Sequence, residues 1–193
     1  MLENVLERKK CLLSVKITVK TLVSALIIAL AVALPQLVHL AAGSEGGMRY
    51  LPMYLPVLMG GCLLGVWWGI GVGALSPVVS FLLTSAFSSP MPALERLPFM
   101  MAELAVFAAV SGLFSKQIIK NAWAAFDAVI IASVAGRVFF LLSVTVFDAF
   151  TALSPAIVWS QIQTGLTGIV IQAVVVPVVI IALRAALLAD KKD

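Results

Sequence analysis

Two ionisable residues stand inside stretches that are otherwise apolar. Glu103 lies in Pro98-Phe-Met-Met-Ala-Glu-Leu-Ala105, and Arg137 follows Ala135-Gly. On α-helices, Glu103 sits about one and a half turns into its apolar run, and Arg137 roughly 15 Å from the same-side end of the next run, at the helical rise per residue. A charge near the centre of a bilayer costs about 2.5–3.5 kcal/mol even on the lenient insertion scale, so such residues face a partner or a cavity. Two readings follow. In one, the carboxylate and the guanidinium pair and lock two neighbouring helices together. In the other, they line a pocket, where the planar fork of Arg137 suits a carboxylate or phosphate. Trp159, Gln161 and Gln163 fall near the same end of the last apolar run, with Gln172 deeper. Tyr50 closes the joint after the first run. Met100, Phe107, Phe139 and Phe140 offer apolar walls, although aromatic and methionine side chains in such runs serve first as packing.

Other chemistry finds little support. The chain has no G-x-S-x-G, H-E-x-x-H or P-loop pattern, so no site for acyl transfer, zinc proteolysis or ATP hydrolysis is expected. The single histidine, His39, cannot make a two-histidine metal site or serve a nucleophile elsewhere. Cys11 and Cys62 do not form a disulfide framework. Neither a catalytic centre, a metal nor a cofactor is expected.

The elements that must carry Glu103 and Arg137 are membrane helices. The 193 residues are 62% hydrophobic and 11% charged, with a mean hydropathy of +1.13, far from a soluble domain. Six spans fit, at 12–41, 51–66, 70–87, 97–115, 122–147 and 156–188. They predict an all-α membrane protein, one six-helix domain over 1–193, with short segments at 1–11 and 189–193 outside the bilayer. The run from Leu12 to Ala42 is too long for a signal peptide and is read as the first span. With six spans, Arg8, Lys9, Lys10, Lys16, Lys20, Lys116, Lys120, Arg184, Lys191 and Lys192 all fall on one side. The positive-inside rule makes that side, and both termini, cytoplasmic. The positive balance of +4 is thus topological, and no nucleic-acid stripe is seen. The stretch from Tyr50 to Phe87 must reverse once, best at Gly65-Val66-Trp67-Trp68-Gly69, where two tryptophans suit an interface. Asp127 is placed near the inner interface. The outer joints, Gly43–Tyr50, Ala86–Arg96 and Asp148–Pro155, are longer and richer in Gly, Pro and charge than the inner ones, so recognition is expected outside. Two series of small residues recur at four. Ala25, Ala29 and Ala33 would share one face of the first span, for a partner subunit or for internal packing. Gly61, Gly65, Gly69 and Gly73 cross the proposed turn, so the first pair reads as a seam and the rest as turn chemistry.

Taken in order, Leu51-Pro-Met-Tyr-Leu-Pro-Val-Leu-Met-Gly-Gly-Cys-Leu-Leu-Gly65, Gly69-Ile-Gly-Val-Gly-Ala-Leu-Ser-Pro77, Pro98–Ala105 and Ala135-Gly-Arg137 resemble the substrate-binding S components of energy-coupling factor (ECF) transporters. The resemblance covers most of the chain. It implies a six-helix subunit of a prokaryotic cell membrane that captures a micronutrient, usually a water-soluble vitamin, from outside. It implies partners: a membrane coupling subunit and two cytoplasmic ATPases, an ABC-type importer in which the S component tilts to carry cargo inward. It maps the coupling face onto Ala25–Ala29 or Ala29–Ala33, and the pocket onto Glu103, Arg137, Trp159 and Gln163, with 43–50 and 86–96 as lids. A cation, an anion, amides and aromatics would suit an amphoteric or carboxylate-bearing cargo such as pantothenate or a folate, with a large neutral ring system such as cobalamin left open.

Two other functions compete. A small cell-envelope scaffold of the MreD type has a similar build and no cargo, and would use Glu103 and Arg137 as a plain interhelical pair. A channel or proton-coupled carrier needs internal repeats or a file of titratable groups, and the polar path ends below Arg137. The variant Arg137→Ala separates the readings: lost ligand binding with the fold intact marks a pocket, and lost folding marks a structural pair.

Overall fold

The computed structural model describes residues 13–87, 91–147 and 155–189. Cys11, Asp148 and the segments 1–12 and 190–193 lie outside the described residues. All regular structure among the described residues is helical: α1 (Leu13–Tyr50), α2 (Tyr54–Leu64), α3 (Val66–Ala86), a 3₁₀ turn (Leu94–Arg96), α4 (Leu97–Leu113), α5 (Ser115–Lys120), α6 (Ala124–Val146) and α7 (Pro155–Ala189). Among the described residues, five helical stretches are long and apolar enough to cross a membrane: Lys16–Gly43, Val66–Ala86, Leu94–Leu113, Ala124–Val146 and Trp159–Ala186. Their outer faces carry large apolar side chains, among them Leu22, Leu26, Leu82, Val134 and Val170, as expected where the solvent is lipid.

The second expected span, 51–66, is not one membrane-length helix. Tyr54–Leu64 has 11 residues, or about 16 Å of rise, roughly half the hydrocarbon thickness. Above it, the segment 44–50, expected as a loop, is helical. The chain kinks at Gly43, whose φ of 68° and ψ of −170° are not helical. A Cβ at Gly46 would lie 2.6 Å from Ala42 Cβ and 3.3 Å from Val38 Cγ1. In a straight helix Gly46 and Val38 are two turns apart, so 44–50 folds back along the end of α1. Leu51-Pro52-Met53 then joins it to α2 through a residue of positive φ, Leu51 at 50°. The freed carbonyl of Leu51 is not left bare, since Gln172 Nε2 donates to it at 3.0 Å. Pro52 and Pro56 lack N–H groups, which disfavours one continuous helix from 44 to 64.

α2 is the core of the bundle. It is apolar all round and nine of its residues are buried, the pattern of a helix with no lipid-facing side. It packs against α1, α3, α4, α6 and α7. The reversal into α3 occurs at Gly65, φ 85°, within the expected turn. Of the glycine series, only Gly65 is turn chemistry. The others form a seam. A Cβ on Gly61 or Gly73 would strike the carbonyl oxygens of Ala108 and Leu104, and one on Gly69 would lie 3.1 Å from Ala108 O. A Cβ on Gly112 of α4 would likewise lie 2.7 Å from Val66 N. The hairpin α2–α3 thus lies backbone to backbone on α4, a contact that small residues permit.

One end of the bundle is basic. Lys16, Lys20, Lys116 and Lys120 cluster there by helix order, and Arg184 of α7 donates through Nε and Nη2 to Ile119 O at 3.3 and 3.0 Å. The opposite, loop end carries 43–53 and 91–96. Trp67 and Trp123 are exposed, at 85% and 70%, near the basic end, as an interfacial belt requires.

Candidate binding cavity

Glu103 and Arg137 meet. Arg137 Nη1 donates to Glu103 Oε1 at 2.9 Å, an ion pair between α4 and α6. Glu103 is 1% exposed and Arg137 8%. Burial of this kind is costly unless the remaining lone pairs and protons are met. The other carboxylate oxygen is met: Tyr54 Oη donates to Glu103 Oε2 at 2.6 Å. Tyr54 is the first residue of α2, so the broken helix delivers the phenol to the ion pair. Its ring lies under Arg137, 4.7 Å from Cζ, and meets Phe107 edge-on at 5.0 Å. Phe107 is fully buried in a hollow that a Cβ on Gly136 would fill.

The triad forms part of the wall of a cavity of about 340 Å³. α1 contributes Pro35, His39 and Gly47, the unwound joint Leu51, Pro52 and Met53, and α2 Tyr54. Opposite stand Met100 and Glu103 of α4, Arg137 and Phe140 of α6, and Gln161 of α7. Ser80, Met91, Pro92 and Arg96 complete it toward the loop end. The segment around Met91 is tied to α3: Thr84 Oγ1 accepts from Met91 N at 2.8 Å, and Ser80 Oγ donates to Met91 O at 2.9 Å. With its amide oxygen turned toward Arg96, Gln161 accepts from Nη1 and Nη2 at 3.2 and 3.0 Å, the orientation its neighbours select.

The expected site residues divide. Glu103, Arg137 and Met100 line the cavity, and Phe107 supports its floor from below. Trp159 is 55% exposed and Gln163 is exposed on α7, and neither lines the cavity. Tyr50 is exposed at 36%, its backbone packed against Gly168. Gln161, two residues before Gln163, takes the polar place on α7. Tyr54, Arg96 and His39 join a site the sequence did not give them. Proline on both sides of Tyr54 was the available sign that the chain unwinds there.

A family model described as ECF transporter, substrate-specific component, matches residues 15–180. The chain belongs to this family. Its members are substrate-binding subunits of transporters, so the cavity is set in a multi-pass membrane protein of that kind. No curated protein and no solved structure gave a match.

Proposed function

We propose that this ECF substrate-specific component captures a water-soluble vitamin or related micronutrient in the cavity around Arg137 and passes it inward with a membrane coupling subunit and two ATPases. The observation that carries this reading is a half-open, mostly apolar cavity whose wall holds a buried ion pair and a phenol at the depth where a broken helix ends. Concave, mostly apolar sites with a few placed polar groups are the usual form of small-ligand pockets. Broken helices at mid-membrane are a recurrent way for transporters to build them. On this reading 44–50 and 54–64 together make the second of six crossings, in one bundle. The positive-inside rule puts the basic end and both termini in the cytoplasm of a prokaryotic cell, so the cavity loads from outside. The chain itself does no chemistry on its cargo and needs no cofactor.

The coupling face is proposed at Ala25, Ala29 and Ala33. All three are exposed, with Ala25 at the edge of a groove shared with Trp68 and Gly71 of α3, and flanking Leu22, Leu26 and Leu30 are exposed as well. Small residues at this spacing admit a close helix from another subunit. The test is co-expression with a coupling subunit and its ATPase pair. Wild type is expected to co-purify with them and Ala29→Trp to be lost from the complex while retaining its own melting temperature. Equal recovery of both would place the coupling face elsewhere.

A further inference from the structure

The loop end of the cavity carries a cation that the buried ion pair does not neutralise. Arg96 immediately precedes α4, and Glu103 lies seven residues on, about 10 Å deeper by helical rise. Both line the cavity, but their partners differ in kind. Glu103 is matched by Arg137 at 2.9 Å. Arg96 pairs with no carboxylate among the described residues, although Glu95 is its neighbour in the chain. Its partner is an amide. With its oxygen turned toward Arg96, Gln161 accepts from Nη1 at 3.2 Å and from Nη2 at 3.0 Å. One neutral oxygen thus stands end-on between the two terminal nitrogens of a guanidinium, in the wall of the cavity. A carboxylate or phosphate oxygen suits the same place, because the guanidinium fork matches such groups. It also adds a Coulomb attraction that an amide lacks, and low-dielectric walls focus that attraction into the cavity. Gln161 is not fully buried, so exchanging it for a ligand oxygen strands no polar group in apolar surroundings.

The rest of the wall sets what the anionic group is attached to. Met53, Met91, Met100 and Phe140 line the cavity. Methionine side chains are flexible and polarizable, and they adapt to apolar or ring-bearing bodies of varied outline. The deeper polar groups are already engaged, since Glu103 accepts from both Tyr54 and Arg137. We infer that the cargo is a small molecule with an anionic oxygen group, a carboxylate or a phosphate, that replaces Gln161 on Arg96, and that Arg96 is the residue that selects for it. The apolar part of the cargo then lies deeper, against Met53, Met100 and Phe140. This inference rests on the reading of the cavity as the cargo site.

The experiment is a thermal-shift titration of the detergent-purified chain with a bacterial small-molecule extract, used untreated, amidated with carbodiimide and ammonia, or digested with alkaline phosphatase. The untreated extract is expected to stabilise wild type, and treatment to abolish the shift. Loss on amidation alone marks a carboxylate, and loss on digestion marks a phosphate. Arg96→Gln is expected to need roughly 10- to 100-fold more extract for the same shift, the scale of one or two hydrogen bonds to a charged group. Gln161→Glu is the sharper variant, because it sets a carboxylate of the chain itself on Arg96, and it does not depend on Arg96→Gln folding. It is expected to melt at or above wild type without extract and to respond as weakly as Arg96→Gln. A plain latch between the 3₁₀ turn and α7 would give the same melting with the response of wild type kept, and that result overturns the inference. An equal response of wild type and Arg96→Gln overturns it as well. A shift that survives both treatments overturns the anionic group while leaving a cargo-binding subunit. If the untreated extract does not stabilise wild type, the binding reading itself falls, and the inference with it.

Discussion

The two ends of this bundle are held together by different means. Toward the basic end, α2, α3 and α4 touch through backbone: Gly61, Gly69, Gly73 and Gly112 leave no room for a side chain, and Cys62, Ala108, Ile118 and Ala125 are fully buried. Toward the loop end, backbone is held by side chains instead. Gln172 supports Leu51, Ser80 and Thr84 support Met91, Arg96 meets Gln161, and Glu103 gathers Arg137 and Tyr54. Close backbone packing has one arrangement and is stiff. Polar contacts at a cavity can be exchanged for contacts to a ligand at little net cost. The half that must stay the same is built from glycine, and the half that must receive something is built from replaceable hydrogen bonds.

This contrast can be broken in graded steps. The largest effect is expected from the seam. Gly61→Leu drives a side chain into Ala108 O and Ser111, and a loss of more than about 3 kcal/mol, at the upper range of overpacking, should appear as failure to purify a folded monomer. Gly71→Ala, where a Cβ meets nothing within 4 Å, is the matched control and should melt like wild type. Next comes Arg137→Ala, which leaves Glu103 buried and unpaired. Breaking a buried pair on one side costs about 3–5 kcal/mol, so melting temperature and ligand response should both fall, and Glu103→Gln/Arg137→Ala should recover much of the melting temperature without the ligand response. Tyr54→Phe removes one charge-assisted hydrogen bond, for about 1–3 kcal/mol, and should weaken binding more than it lowers melting. Smallest is Thr84→Val, which frees Met91. Its melting is expected to move by less than about 1 kcal/mol, while release of bound ligand, followed by stopped flow, becomes faster. If the seam variants were mild and the cavity variants caused unfolding, the division of labour between the two ends would be reversed.

Much of the helical architecture was legible because lipid imposes it. Apolar runs of spanning length and the sorting of lysine and arginine need no tertiary knowledge, and the turn at Gly65 followed from them, while a Glu103–Arg137 pair was one of two readings the sequence left open. The stretch 44–64 was not legible as it stands. Glycine and charge between Gly43 and Tyr50 read as a loop, yet the segment is helical because Gly43 lets it fold onto α1 and Gly165 and Gly168 let Leu51 and Tyr50 settle against α7. That misplacement moved the tyrosine by four residues, from Tyr54 to Tyr50. On α7, depth along the run could be counted but rotation about the axis could not, so Trp159, Gln161 and Gln163 stood together as candidates and only Gln161 lines the cavity. A helix wet by lipid on one face and by its own bundle on the other gives weak periodicity, and only packing fixes which face is which.

Cargo binding in this cavity is the property on which the proposed function depends. The direct measurement is the thermal shift of wild type and of Met100→Trp against a panel of water-soluble vitamins and their precursors. Met100 lines the cavity without joining the ion-pair triad, so a tryptophan there fills the space and spares Glu103, Arg137 and Tyr54. One compound is expected to stabilise wild type, by about 4 kcal/mol at a thousandfold excess over Kd, and to have no effect on a folded Met100→Trp. Equal stabilisation of both proteins would contradict the assignment of this cavity.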